Sequence, residues 1–363
     1  KSFRIGDLSI AVPIVQGGMG VGISLSGLAS AVASQGGIGT IATVGLGLIH
    51  KTPGLGYRKS TVEAVTNEIR KARKLTEGVL AVNIMSVLTN FRDMVQTSIK
   101  EKIDIIFAGA GLPLDLPRYK PEGSKTKLVP IVSSGRAAMI IAKKWLQNFN
   151  YLPDAFVVEG PEAGGHLGFS KSDLDEKKHN LQSIVPDVLE VTRDLEKQYN
   201  KEIPIIAGGG IGLPEHLAKA LICGADLVSI NIPLLIALEC RLCESCKPGD
   251  YCPAKLDGEI DLDYSVGRMT NLMGAWHWQL VEVMGAMGMR EARRLRGDVG
   301  RAMFKEELEK EIQTRVQSEV DRSQREHYLR EQMRAIQKEL GEEDIWAKEL
   351  SELAEKIEKM KLP

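Results

Sequence analysis

No apolar run in this 363-residue chain approaches the ~18–20 residues that a membrane-spanning helix needs, so no membrane partner is expected. Neither sign of charge is in excess. The 47 Lys and Arg set against 48 Asp and Glu leave a net charge of −1, which gives no reason to expect nucleic acid as a partner. No G-x-G-x-x-G follows a strand-like run, and no G-x-x-x-x-G-K-S/T occurs. A dedicated dinucleotide domain and an NTPase site are therefore unsupported. The opening "KSFRIGDLSI" has no apolar signal-peptide core, and it begins on Lys rather than Met, which reads as a trimmed chain. Cysteine is scarce. There are five, and four of them crowd into 240–252. With no export signal, that crowding suggests a metal site in a reducing cytoplasm rather than a disulfide framework.

What is present divides in two. Apolar residues make up 43% of the chain, enough for a substantial core. Of the 36 glycines, only Gly341 lies beyond residue 304. The stretch from Lys305 is more than half Ala, Glu, Lys, Leu and Arg, the makeup of long helices or coiled coils. The expected organisation is thus a domain over 1–304, with a Cys-rich insertion at 240–252, and a helical segment over 305–363.

Within 1–304, one pattern recurs eight times: a short apolar, β-branched run that ends in small or polar residues, followed by a helix-like stretch. The runs are "VPIVQGG" (12–18), "IGTIAT" (38–43), "VLAVNIM" (79–85), "IDIIFAG" (103–109), "LVPIVSS" (128–134), "AFVVEG" (155–160), "IPIIAGGG" (203–210) and "DLVSIN" (226–231). Continuous apolar strands alternating with helices imply a covered parallel sheet. Eight units are the number of a closed (β/α)8 TIM barrel. An open doubly wound sheet would read similarly, but the count and the regularity favour the barrel.

In a barrel the strand ends form the functional face. Gln16, Gly17, Gly18, Asn83, Ser133, Ser134, Glu159, Gly208, Gly209, Gly210 and Asn231 all fall at or just past them. The stretch "IPIIAGGGIGLPEHLAKAL" runs strand, glycine loop, helix. Its glycines let the backbone approach an anion, and the helix aims free N–H groups at it. The loops after strands seven and eight are the usual phosphate cradle of barrels. The alternative is that "GGGIG" is only a tight turn.

"PIVQGGMG", "AVNIM", "EGPEAGGHLG", "IIAGGGIG" and "GADLV" stand in the order and spacing of the nitronate monooxygenase family, formerly the 2-nitropropane dioxygenases. The sequence also resembles their relatives, the FMN-dependent enoyl-ACP reductases. The resemblance implies an FMN-dependent oxidoreductase that oxidises nitronates or nitroalkanes, small-molecule substrates, with O2. It implies that Gly18 and Met19 lie near the flavin ring and that Asn83 hydrogen-bonds it. Gly164 and Gly165 would pass close to the ring, and Gly209 and Gly210 would hold the phosphate. It makes His166 the catalytic residue, as a base or as a stabiliser of the substrate anion. A loop His with a purely structural hydrogen bond is the plainer alternative. Glu159 or Glu162 would orient His166, or Glu162 is simply solvated. One departure stands out. Where the family carries Gly-Thr against the phosphate, this chain has Asn231-Ile232, so part of that grip must change.

The spacing Cys240-x2-Cys243-x2-Cys246-x5-Cys252-Pro suits an iron–sulfur cluster, with zinc as the main competitor. The segment also resembles glutamate synthase, whose barrel has cysteines after the same strand; "PLLIALEC" and "RLRGDVGRAMF" add to that likeness. Cys223 reads as a buried small apolar residue. Residues 268–297, rich in Met and Trp, read as core helices sealing the barrel, with His277 among them. His50, His179 and His216 have no convergent partner in the sequence.

"SEVDRSQREHYLREQMRAIQKELGEED" (318–344) resembles the helical arm of Lon protease, over about 308–363. Leu308, Ile312, Val316 and Val320 form one apolar stripe, and Leu329, Met333, Ile336 and Leu340 a second. A helix over about 304–340 would be on the order of 55 Å long. No Walker loop accompanies it. The junction reads as a fusion of two families, and the stripes suggest self-association. Three alternatives to nitronate oxidation follow from these likenesses. They are an NAD(P)H-dependent enoyl-ACP reductase, a glutamate-synthase-like iron–sulfur flavoprotein, and a fusion that presents the Lon-like arm.

Overall fold

Ten strands and nine α-helices make up the regular structure of the described residues, which in this computed structural model are 3–165, 168, 180–240 and 261–296. All of them belong to one compact unit, Lys1–Arg301. The boundary at 304 and the segment 305–363 lie outside the described residues.

The first two strands, β1 (Phe3–Ile5) and β2 (Leu8–Ile10), form an antiparallel hairpin. Then come β3 (Ile14–Gln16), β4 (Ile38–Ala42), β5 (Val79–Met85), β6 (Ile105–Gly109), β7 (Lys127–Val132), β8 (Phe156–Glu159), β9 (Ile205–Gly208) and β10 (Leu227–Ile230). Each coincides with one of the eight repeating runs, β7 alone starting one residue before its run, at Lys127. The eight close into a parallel barrel in which β10 pairs with both β9 and β3. This closure excludes the open doubly wound sheet, which would leave β10 with an edge.

The helices are α1 (Ser26–Ser34), α2 (Leu46–Ile49), α3 (Tyr57–Leu75), α4 (Phe91–Lys100), α5 (Gly135–Phe149), α6 (Leu181–Tyr199), α7 (Pro214–Cys223), α8 (Ile232–Ala237) and α9 (Leu262–Ala286). They bury the outward residues of the strands. One departure from the regular pattern follows β6, where the connection forms only a 3-10 turn, Leu116–Tyr119. Pro113, Pro117 and Pro121 lie in this stretch, and proline removes backbone donors and clashes within a longer helix.

Residues 268–297 behave as expected in part. A single helix, α9, begins six residues earlier than the quoted stretch and buries Met269, Met273, Trp276, Leu280 and Met284. These positions recur at helical spacing and pack on α1 and α7. The helix thus covers the barrel after its eighth strand, β10. After it, Arg296 donates to the Gly224 carbonyl at 2.8 Å and pairs with Asp226 at 2.6 Å, which anchors the chain under the start of β10.

The barrel is filled, not hollow. Val15, Ile38, Ala81, Ile105, Phe107, Val129, Val157, Ile206 and Leu227 point inward, and Phe3, Ile5 and Ile10 of the hairpin join the same cluster. The hairpin therefore plugs the N-terminal end. Lys127 at the start of β7 pairs with Asp7 of its turn, where Gly6 takes φ +60°. Among the described residues, no helix is long and apolar enough to cross a membrane.

Candidate functional site

Side chains alternate along a strand, so stepping by two from the inward core residues reaches the inward positions at the other rim. These are Gly17, Ala42, Asn83, Gly109, Ser133, Glu159, Gly208 and Asn231. Seven carry no charge, and most are small. The mouth they line is therefore narrow-walled and polar, with one carboxyl group, Glu159.

The close approaches at this rim explain the glycines. A Cβ on Gly17 would overlap the side-chain amide of Asn231, and one on Gly18 would lie 2.5 Å from the Asn83 Cβ and 2.6 Å from its Cγ. The structure thus brings Gly18 onto Asn83 and Gly17 onto Asn231. Asn231 Oδ1 is buried with no hydrogen-bond partner among the described residues. An orphaned buried acceptor calls for a donor beyond the described residues, and a bound ligand is one that could supply it.

The loop after β3 is held by a residue the sequence reading did not single out. Ser24 Oγ accepts from Gln16 Nε2 at 2.9 Å and from the Met19 amide at 3.0 Å. The Ser24 amide donates to the Met19 carbonyl at 2.9 Å, and the Gly17 amide donates to Ile230 at 3.1 Å. Met19 is thereby fixed at the rim. No local signal marks Ser24, because its importance comes from the loop folding back over eight residues.

The glycine loop after β9 takes left-handed backbone angles, φ +109° at Gly209 and +70° at Gly210. It packs on the loop after β8, where the Gly160 amide donates to the Gly208 carbonyl at 2.8 Å. The Glu162 carboxylate lies directly over Gly210. Farther along, the Gly212 amide donates to His216 Nδ1 at 3.2 Å, so His216 has a partner after all, a local one at the start of α7. Gly164 and Gly165 are open, with no described residue within 4 Å of a Cβ built on either.

Glu159 sits half-buried at the end of β8, paired in register with Gly208. It has no hydrogen bond or ion pair among the described residues. Burial alone pushes its carboxyl up to about 7.

Other expected site residues are not brought into view. His166 lies outside the described residues, as do Cys243, Cys246 and Cys252. Cys240 is half-buried just beyond α8, and its amide donates to Leu235 at 2.9 Å. Cys223 ends α7 and is half-buried rather than buried. His50 is near Glu68, with Nε2 4.0 Å from Oε1. A cavity of about 280 Å3 lies elsewhere, outside the barrel between α9 and the start of β3, lined by Val12, Pro13, Met273, Trp276 and Leu280. It holds no ionisable cluster, and the convergent polar groups are at the rim.

The nitronate monooxygenase family model matches residues 1–96 and 85–250, more than half of the chain. The chain belongs to that family. Its described residues build the closed eight-stranded parallel barrel of a TIM fold. The archaeal glutamate synthase (NADPH) of Methanocaldococcus jannaschii is 34% identical over 152 residues, 40% of this chain and 29% of that protein. Lon protease 1 of Thermus thermophilus is 54% identical over 57 residues, 16% of this chain and 7% of that protein. The chain spans less than a third of the length of these curated relatives. Among solved structures, FabK from Thermotoga maritima is 27% identical with a TM-score of 0.46, covering 62% of this chain and 60% of that one. A nitroalkane oxidase from Streptomyces ansochromogenes is 19% identical with a TM-score of 0.49, covering 80% and 93%.

Proposed function

We propose that this nitronate monooxygenase family member is an FMN-dependent enzyme that oxidises nitronates or nitroalkanes with O2. The observation that carries the reading is the pairing of Gly17 with Asn231 and Gly18 with Asn83 at the barrel mouth, where an acceptor is left orphaned. The residues present fit a flat ring with a phosphate tail. Gly18, Met19 and Asn83 would lie along the ring, Gly164 and Gly165 would leave its face open, and Gly209 and Gly210 would hold the phosphate with Asn231 nearby. For a phosphate to rest on Gly210, Glu162 must turn away. It is an exposed side chain, so solvent takes it at little cost. When bound, FMN supplies the acceptor for the substrate's electrons, with O2 as the final oxidant.

His166, next to Gly165, takes the catalytic part. Its imidazole removes the α-proton of a neutral nitroalkane or stabilises the nitronate anion. The absorption spectrum and metal content of the purified protein, with aerobic turnover, test the reading. A flavin spectrum and O2 uptake with a nitronate, but not with NADH, are the expected result. Bleaching by NADH followed by reoxidation with an enoyl thioester would instead identify a reductase.

A second reading is favoured by the archaeal glutamate synthase likeness. In it, an iron–sulfur cluster on Cys240, Cys243, Cys246 and Cys252 exchanges electrons with the flavin. It rests on cysteine spacing in the connection between α8 and α9. Iron in the metal analysis, lost in a Cys243→Ser, Cys246→Ser variant, supports it; zinc in its place makes the site structural. Self-association through the stripes beyond residue 304 is tested by light scattering with and without 305–363.

A further inference from the structure

We propose that Glu159 decides whether an anionic substrate enters the barrel mouth: protonated, its carboxyl donates a hydrogen bond to the anion, and ionised, it turns the anion away. The proposal rests on the reading above, in which the substrate is a planar, oxygen-bearing anion of the nitronate class.

The geometry is specific. Glu159 is the single ionisable group among the eight inward rim positions, and β8 delivers it by strand alternation from Val157 in the core. Its surroundings hold no cation among the described residues. Of the strands beside β8, β9 contributes no charged residue, and the inward charge of β7, Lys127, lies at the opposite end paired with Asp7. The loop after β8 brings Glu162, whose carboxylate lies over Gly210. From α6 comes Asp187, which is committed to the Gly135 amide at 2.6 Å. Of the charges nearby, Glu162 and Asp187 are both negative. His166, also near in sequence, lies outside the described residues. An anion placed beside an ionised Glu159 would thus meet a like charge with no compensating partner in the described mouth. A neutral carboxyl group in the same place is a hydrogen-bond donor. Burial supports this by keeping the carboxyl neutral up to about pH 7.

The step is an acid–base exchange only. One proton is taken up from solvent onto Glu159 as each anion binds at high pH, and no bond of the substrate breaks. Nitrate, a planar anion, is the probe, added to the full chain with its flavin bound and also to the flavin-free protein. Between about pH 6 and about pH 8.5, the dissociation constant of nitrate is expected to weaken by about 30-fold, as the neutral fraction of a group titrating near 7 falls. In Glu159→Gln, which keeps a donor and cannot ionise, the change is expected to stay under about 2-fold. Calorimetry of the unaltered protein in buffers of different ionisation enthalpy gives a second readout that needs no variant. Nearly one proton should be taken up per nitrate at about pH 8. The proposal is overturned by nitrate affinity that is flat with pH, by a Gln variant with the unaltered pH dependence, by absent proton uptake, or by no nitrate binding at either pH. Nitronate turnover in parallel separates the two levels. Linked nitrate binding without turnover removes the proposed reaction and leaves the role of Glu159; turnover with pH-flat nitrate binding does the reverse.

Discussion

Gly18 and Gly164 look alike in the sequence, as glycines beside a strand end, yet the structure gives them different reasons to be glycine. Gly18 is required by the protein itself, because a Cβ there would lie 2.5 Å from the Asn83 Cβ. Gly18→Ala is therefore expected to cost about 1–3 kcal/mol of stability, from displacement of Asn83, and to lower flavin retention with it. A Cβ on Gly164 meets no described residue within 4 Å. Gly164→Ala should leave the melting temperature of the flavin-free protein unchanged and weaken only flavin binding, because the added methyl group projects where the ring is proposed to lie. Thermal melts with and without flavin, alongside a flavin titration, check both variants. A lowered melting temperature of flavin-free Gly164→Ala would show that the open space is needed by the chain rather than by a ligand.

At the scale of single elements, helix ends show where local signals suffice. The start of α5 is readable, since Ser134 accepts from the Ala137 amide at 3.2 Å as an N-cap should. The start of α1 is not, since its N-cap is Leu25, which has no side-chain acceptor. Its Ser26 amide donates instead to Glu68 Oε2, 42 residues away on α3, at 2.8 Å. Burial pushes the Glu68 carboxyl up, but the hydrogen bonds from Ser26, together with Lys71, outweigh it and hold the group below its usual 4.5. A carboxyl depressed in the folded state stabilises the fold above its unfolded value, and that stabilisation fades as pH falls through the folded value. Glu68→Gln should therefore lower stability by about 1–2 kcal/mol at neutral pH, since a charge-assisted bond becomes a neutral one. The gap between variant and parent should close as pH drops below 4.5. Urea unfolding at several pH values measures it, and a gap that is constant down to low pH would contradict the cap.

For the molecule as a whole, stability and chemistry lie at opposite ends of the barrel. The hairpin seals the N-terminal end with Phe3, Ile5 and Ile10, of which Ile5 and Ile10 are fully buried. The polar rim is at the other end, where barrel enzymes carry function. Ile5→Ala is expected to cost about 2–5 kcal/mol, the usual range for a truncated core isoleucine. Flavin affinity of the folded fraction, measured well below the melting temperature, should not change. Parallel loss of both would mean that the two ends are coupled through the core.

The eight strands were legible in the sequence because a barrel strand is buried on both faces and must be apolar throughout, and because each ends in small residues. Gly17, Gly18, Asn83, Glu159, Gly209, Gly210 and Asn231 were legible as rim residues for the same reason, since strand ends are where a parallel barrel gathers its loops. Barrel closure was decided by tertiary structure, because the pairing of β10 with β3 joins segments more than 200 residues apart and leaves no local mark. So were the hairpin plug, the Ser24 hub, the missing helix after β6, and the Glu68 cap on α1. So, too, was the isolation of Glu159. The sequence places a carboxylate at a strand end, but only the folded barrel removes every described cation from around it, and that desolvation is what moves its proton equilibrium.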